Sequence, residues 1–290
     1  MTKGRRRIAS TNRGVRPTGP RAERAIASDA RGAEPSRRDV LRAIAALGAA
    51  IPFGAMPGRA QAFGDEMLFD LPVIEYDAPQ WNPRPSALRR ILQEIDMVTS
   101  IAVADGPNTT RLDPDALFMS PIAVLAGDRG FDAWSDEQSD ALSAWLRSGG
   151  LLFIDSSEGR ADGGFAESIR RELARVLPDV AAAPIPAEHV VFRSFYLVTP
   201  SPGRFSSLPH LEGYSFDDRL AVIVSHNDIL GACARDPLGG WEFEVTGGST
   251  ARDMALRFAV NLAMYATCLD YKADQVHVEY VMRRRRWRVD

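Results

Sequence analysis

Ser135-Asp136-Glu137-Gln138-Ser139-Asp140-Ala141-Leu142-Ser143-Ala144-Trp145-Leu146-Arg147-Ser148-Gly149-Gly150-Leu151-Leu152-Phe153-Ile154-Asp155 is the stretch from which the fold is read. Ser135 followed by two acidic residues is a helix start, because a short polar side chain answers the free N–H groups there and the macrodipole favours negative charge. Leu142, Trp145 and Leu146 recur at helical spacing as a buried stripe. Gly149-Gly150 ends the helix. Leu151 to Ile154 follows at once as a strand that is apolar on both faces. Strands of that kind belong to parallel sheets covered by helices on each side.

The same alternation extends in both directions. Met67 to Ile74 reads as an opening strand. Asn82-Pro83-Arg84-Pro85 is a turn, after which Ser86 is expected to cap a helix whose buried face is Leu88, Ile91, Leu92 and Ile95. Leu117-Phe118-Met119 and Ile122 to Ala126 are apolar runs ending in Gly127-Asp128. Phe165 to Leu177 is helical up to Pro178. Val190 to Val198 and Leu220 to Val224 have strand character, Met254 to Cys268 forms an apolar-striped helix, and Val276 to Val281 is expected as a last strand. The pattern predicts one α/β domain with a mostly parallel, doubly wound sheet over residues 63–281. No glycine-rich phosphate loop follows a strand; Gly163-Gly164 lacks the spacing.

Charge divides the chain into unequal parts. Residues 1–62 hold 13 Lys+Arg against 4 Asp+Glu, whereas residues 63–290 hold 22 against 34, a net of −12. An acidic domain repels phosphate backbones, which argues against a nucleic-acid partner. Within the basic part, Arg37-Arg38 precedes a mild Ala/Gly-rich apolar stretch from Ala43 to Met56. Pro57-Gly58-Arg59-Ala60-Gln61-Ala62 then offers a small-x-small cleavage site at Ala60 and Ala62. That order predicts a disordered basic leader and twin-arginine signal over 1–62, export to the periplasm, and a mature chain from Phe63. No window is apolar enough to span a membrane. Residues 282–290, with Arg283 to Arg286 and Arg288, form a basic tail suited to anionic headgroups or an acidic patch. Cys233 and Cys268 match no metal-ligand spacing; pairing and separate burial both remain open.

Trp145 to Asp155, Leu177-Pro178-Asp179, His189 to Tyr196, Leu220 to Leu230 and Tyr271 to Val276 together resemble a bacterial family called domain of unknown function 4159. The likeness spans most of residues 67–281. It implies a fold similar to class I glutamine amidotransferases, a flavodoxin-like three-layer sandwich. It also implies a role beside envelope or membrane proteins linked to MoxR-type ATPase systems.

Ligands in open α/β sheets bind beyond the C-terminal strand ends. The candidate residues there are Asp155, Ser156 and Glu158 after one strand, Ser225, His226, Asn227 and Asp228 after another, and His189 with Arg193 and Tyr196. An amidotransferase needs a cysteine on the turn after a strand, and neither cysteine occupies one. Ser156 or Ser157 with His189 or His226 and Asp228 formally composes a serine hydrolase, without the Gly-x-Ser-x-Gly elbow. Asp155, His189, His226 and Asp228, if they converge, compose a divalent-metal site. Asp155 and Ser156 are equally suited to capping, and Ser225 to Asp228 to a hydrogen-bonded turn. Two functions follow: a non-catalytic domain for binding or envelope assembly, or a metal- or serine-dependent hydrolase.

Overall fold

The computed structural model describes residues 68–216 and 219–285, with the backbone alone from 268 onward. They belong to one compact unit. The arginine pair, the cleavage site, the Cys268 side chain and the side chains of the basic tail lie outside the described residues.

The capping box at Ser135 is complete. The Ser135 hydroxyl accepts from the Gln138 amide while the Gln138 side chain accepts from the Ser135 amide, and both acidic residues occupy the first turn. The helix it starts, Asp136–Arg147, ends before Gly149, whose φ of 116° is the left-handed conformation that favours glycine. Gly150 has a different reason to lack a side chain: a Cβ there would stand 2.3 Å from the Trp145 ring. Trp145 is fully buried and donates its indole N–H to the Ser120 carbonyl.

In chain order the elements are β1 (Val73–Glu75), α1 (Pro85–Val98), β2 (Thr109–Arg111), α2 (Pro114–Leu117), β3 (Ile122–Gly127), α3 (Asp136–Arg147) and β4 (Leu151–Ser156). Then come α4 (Gly164–Val176), β5 (Ala183–Pro184), a 3₁₀ turn (Val190–Phe192), β6 (Glu212–Phe216), β7 (Arg219–Ser225), α5 (Ile229–Cys233) and α6 (Gly248–Arg285). The seven strands form one sheet in the order β2-β1-β3-β4-β7-β6-β5. The first five in that order run parallel; β6 and β5 join antiparallel. Helices cover both faces. Leu88, Ile91, Phe258 and Leu262 pack with Phe153 and Ile223 on one side, and Leu142, Trp145, Phe165 and Leu173 pack with Ile154 and Val224 on the other. Each large side chain so buried contributes about 1.5–3 kcal/mol relative to exposure.

Several local expectations are corrected. The opening strand is only Val73–Glu75, because Pro72 has no N–H for a ladder; Phe69 makes an isolated bridge with Val103. Ser86 does not cap α1, which starts at Pro85 with no side-chain cap; the Ser86 hydroxyl instead accepts from the Arg235 amide. Leu117 ends the short helix α2, and Phe118 is its C-cap. Val190 to Val198 is no strand. The buried Asn261 side chain accepts from the Phe195 and Tyr196 amides and donates to the Val191 and Tyr196 carbonyls, so this backbone is satisfied without a sheet partner. Val276 to Val281 continues α6, since no glycine or proline interrupts the chain after Gly248. Lys272 and Asp274 accordingly lie within that helix.

Candidate functional site

Strand β7 ends in Ser225 and turns sharply through His226, Asn227 and Asp228 into α5. Asp228 takes φ 53°, ψ 59°, and it is the one non-glycine residue with positive φ among the described residues. A left-handed conformation costs an L-residue roughly 1–2 kcal/mol, so something must hold it. The carboxylate is fully buried. It accepts from Arg84 Nε at 3.1 Å and Nη2 at 2.9 Å, from Arg204 Nε at 2.6 Å, and from the Gly231 amide at 2.9 Å. Both guanidiniums lie over the Phe243 ring, Arg84 at 4.2 Å and Arg204 at 5.0 Å from its centroid. Gly231 is required here, because a Cβ would stand 2.2 Å from an Asp228 carboxylate oxygen.

Asp155 sits at the end of β4, in register with Ser225. It caps no segment of its own. Its oxygens accept from the Ile229 and Leu230 amides at 3.1 and 2.7 Å, capping α5 from 74 and 75 residues away. Burial, then the neighbouring Asp228 charge, pushes its pKa up to about 7 against hydrogen bonds from Leu230, Ser225 and Ile229. Asn227 is equally occupied. It accepts from the Ser207 and Leu208 amides and donates to Ser201 Oγ and the Leu208 carbonyl, tying the 201–208 segment across the strand end.

Period-two alternation puts His226 and Ser156 on the opposite face from Asp155 and Ser225. His226 is buried, and its Nε2 meets Glu212 Oε2 at 2.8 Å, the hydrogen bond that first of all holds the Glu212 carboxyl below its usual range. His226 Nδ1 and the Ser157 hydroxyl are buried without a partner among the described residues. Ser156 is buried and accepts weakly from the Glu158 amide. Glu158 in turn accepts from the Phe165 amide in the first turn of α4.

The third candidate group does not join the others. His189 Nδ1 caps the 3₁₀ turn by accepting from the Val191 amide, and its ring packs edge-on to Tyr265, whose hydroxyl accepts from the Leu220 amide. Burial, then the Arg193 charge, lowers its pKa. Leu220 is at the start of β7 and His226 just past its end, about 20 Å apart at ~3.3 Å per residue. His189, exposed Arg193 and Tyr196 therefore lie at the far end of the sheet, on no strand. Among the described residues no three His, Cys, Asp or Glu side chains are placed to hold a metal ion. Cys233 is a free, buried thiol at the end of α5, pushed up in pKa by burial and then Asp155.

Sequence reasoning missed Arg84, Arg204 and Glu212, the partners that decide what the cluster does. It also missed an open crevice of about 530 Å³ beyond the ends of β1 and β2, lined by Glu75, Tyr76, Asp77, Trp81, Arg111 and Gln138. Strand order reverses between β1 and β3, so the segment after β1 that walls this crevice also borders the switch point where open α/β sheets bind ligands. Proline and tryptophan after Asp77 were the available signal.

Compared with known proteins, the chain matches the family model described as domain of unknown function (DUF4159) over residues 70–267. No curated protein matches it. No helix among the described residues is long and apolar enough to cross a membrane.

Proposed function

The chain belongs to the domain of unknown function 4159 family, and from that premise we propose an exported, non-catalytic α/β domain that acts by binding in the assembly of envelope complexes. The observation that carries this reading is Asp228. At the sharp strand-to-helix turn with the one left-handed non-glycine residue among the described residues, the side chain is a carboxylate already held by two arginines. A nucleophile there must face an open site with a base in reach; this group is buried against Arg84 and Arg204. The order β2-β1-β3-β4-β7 supports the flavodoxin-like, amidotransferase-like sandwich, whose strand order is 2-1-3-4-5. Arg37-Arg38 and Ala60-Gln61-Ala62 support twin-arginine export to the periplasm. The partners we propose are envelope or membrane proteins of a MoxR-linked system; the net charge of −12 over residues 63–290 disfavours nucleic acid.

The test is chemical. The native mature domain is treated with a fluorophosphonate and with iodoacetamide. Ser156, Ser157 and Cys233 are expected to stay unmodified until the protein is denatured; a stoichiometric adduct on the folded protein makes it an enzyme. N-terminal sequencing of the periplasmic fraction is expected to begin at Phe63. Replacing Arg37 and Arg38 by lysine is expected to leave the precursor in the cytoplasm.

A further inference from the structure

We propose that the crevice beyond β1 and β2 receives the basic segment Arg283–Arg288 of a second copy of this chain, joining copies head to tail. The proposal rests on the binding reading and names the chain itself as a partner. The crevice, about 530 Å³, falls within the range of about 300–1,000 Å³ usual for ligand sites.

Its charge sets the occupant's sign. Glu75, Asp77 and Asp113 line it against one arginine, Arg111. Asp77 is exposed and has no partner among the described residues. Glu75 meets Arg111 through one oxygen, at 3.5 Å, and its side chain is 41% exposed. One oxygen of Asp113 accepts from the Ala116 amide, while the other has no partner among the described residues. Trp81 forms part of the wall and packs against both halves of the core, so its ring is a fixed surface. Carboxylates beside an indole suit a guanidinium, which pairs with the first by charge-assisted hydrogen bonds and stacks on the second.

The chain carries such an occupant. Residues 63–282 hold 17 Lys+Arg against 33 Asp+Glu, whereas residues 283–290 hold 5 against 1. Arg283 to Arg286 is the one run of more than two basic residues after the leader. The fold sends that run away from its own crevice. On α6, Arg252 donates to the Ala232 carbonyl, just past the C-terminal end of β7, and Tyr265 accepts from the Leu220 amide at the start of that strand. The helix therefore runs antiparallel to β7. From Tyr265 to Arg285 it continues about 30 Å past the strand's start. Arg288 follows three residues later, a further reach of about 11 Å at most. The crevice lies at the opposite, C-terminal edge of the sheet, so a copy cannot fill it with its own segment. A second copy can. The helix also carries the positive run several Debye lengths, about 8 Å each at physiological ionic strength, from the acidic body that bears it. A contact between two different patches is heterologous, so it propagates into a ring or a filament.

The experiment is sedimentation velocity on the whole mature chain and on two variants, each of which breaks one side of the contact. Asp77→Lys reverses a charge in the crevice; Arg284→Glu with Arg286→Glu reverses two in the segment. The mature chain is expected to self-associate with rising concentration and to dissociate at about 1 M salt, where the Debye length is about 3 Å. Each variant alone is expected to weaken association at least tenfold with Tm unchanged. Mixed, the two are expected to form a one-to-one dimer and nothing larger, because one intact crevice and one intact segment remain in each pair. A monomer at every concentration, association that both variants leave intact, or a mixture that behaves as either variant alone overturns the proposal. A fluorescein-labelled peptide of residues 281–290 is expected to bind the mature chain and to bind Asp77→Lys at least tenfold more weakly. Binding to phosphatidylglycerol vesicles with none to the protein assigns the segment to a membrane surface and overturns the proposal as well. These failures remove the head-to-tail contact alone; labelling at Ser156, Ser157 or Cys233 removes the non-catalytic reading instead.

Discussion

Two regions at the C-terminal ends of the strands have opposite character. At the end of β7, Ser225, His226, Asn227 and Asp228 are all buried, and Asp228 is wholly engaged by Arg84, Arg204 and Gly231. Beyond β1 and β2, Glu75 and Arg111 meet at 3.5 Å with side chains 41% and 73% exposed, beside an open crevice. In the denser polar cluster the carboxylates of Asp155 and Asp228 and the amide of Asn227 are already spent on protein partners. Clustered polar residues at a strand end are therefore as much a sign of a difficult turn being held as of chemistry.

The largest expected effect tests the turn. Asp228→Ala leaves two guanidiniums unanswered and is expected to cost about 3–5 kcal/mol in urea unfolding. A loss under about 1 kcal/mol shows that the arginines do not hold the turn, and the contrast between the regions collapses. Next is pH. Asp155 has a folded pKa near 7, above its unfolded value, so the stability linked to its proton is complete below about 4 and fades as pH rises through 7. Asp155→Asn removes that titration. The wild type is expected to lose stability relative to the variant, by a few kcal/mol in order of magnitude, between about pH 4 and pH 7. Parallel curves refute the raised pKa.

Glu212→Gln weakens the contact with His226. Discounted for the partly exposed carboxylate, about 1 kcal/mol is expected at pH 7. This contribution runs the other way with acid. The folded Glu212 pKa is depressed, so its share is present above the unfolded value and lost as pH falls below about 4. The smallest effect is on the open side: Arg111→Ala is expected to move stability by less than about 0.5 kcal/mol. A larger shift in thermal unfolding makes the crevice part of the scaffold.

Where local sequence decides, the fold was legible. The Ser135 cap, the Gly149 stop and the uninterrupted apolar runs of β3, β4 and β7 carry their own instructions. Strand β6 was not read, because Gly213 and Ser215 break its apolar pattern and its pairing with β7 supplies the order. Val190 to Val198 has strand composition, but a single distant asparagine claimed its amides. The site divides in the same way. Ser225 to Asp228 was visible as a place, yet its role is set by Arg84, 144 residues earlier, and Arg204, 24 residues earlier. Neither arginine belongs to a local motif.

The ties from Asn261 and Asn227 have a kinetic consequence. The amides of Phe195 and Tyr196, and those of Ser207 and Leu208, end on side chains buried in α6 and at the end of β7. Those four hydrogens are released only when the elements carrying the asparagines open, so in deuterium exchange they should follow the slow cooperative unit and not the fast surface connections around them. By exchange kinetics, two stretches without regular secondary structure would be counted as core.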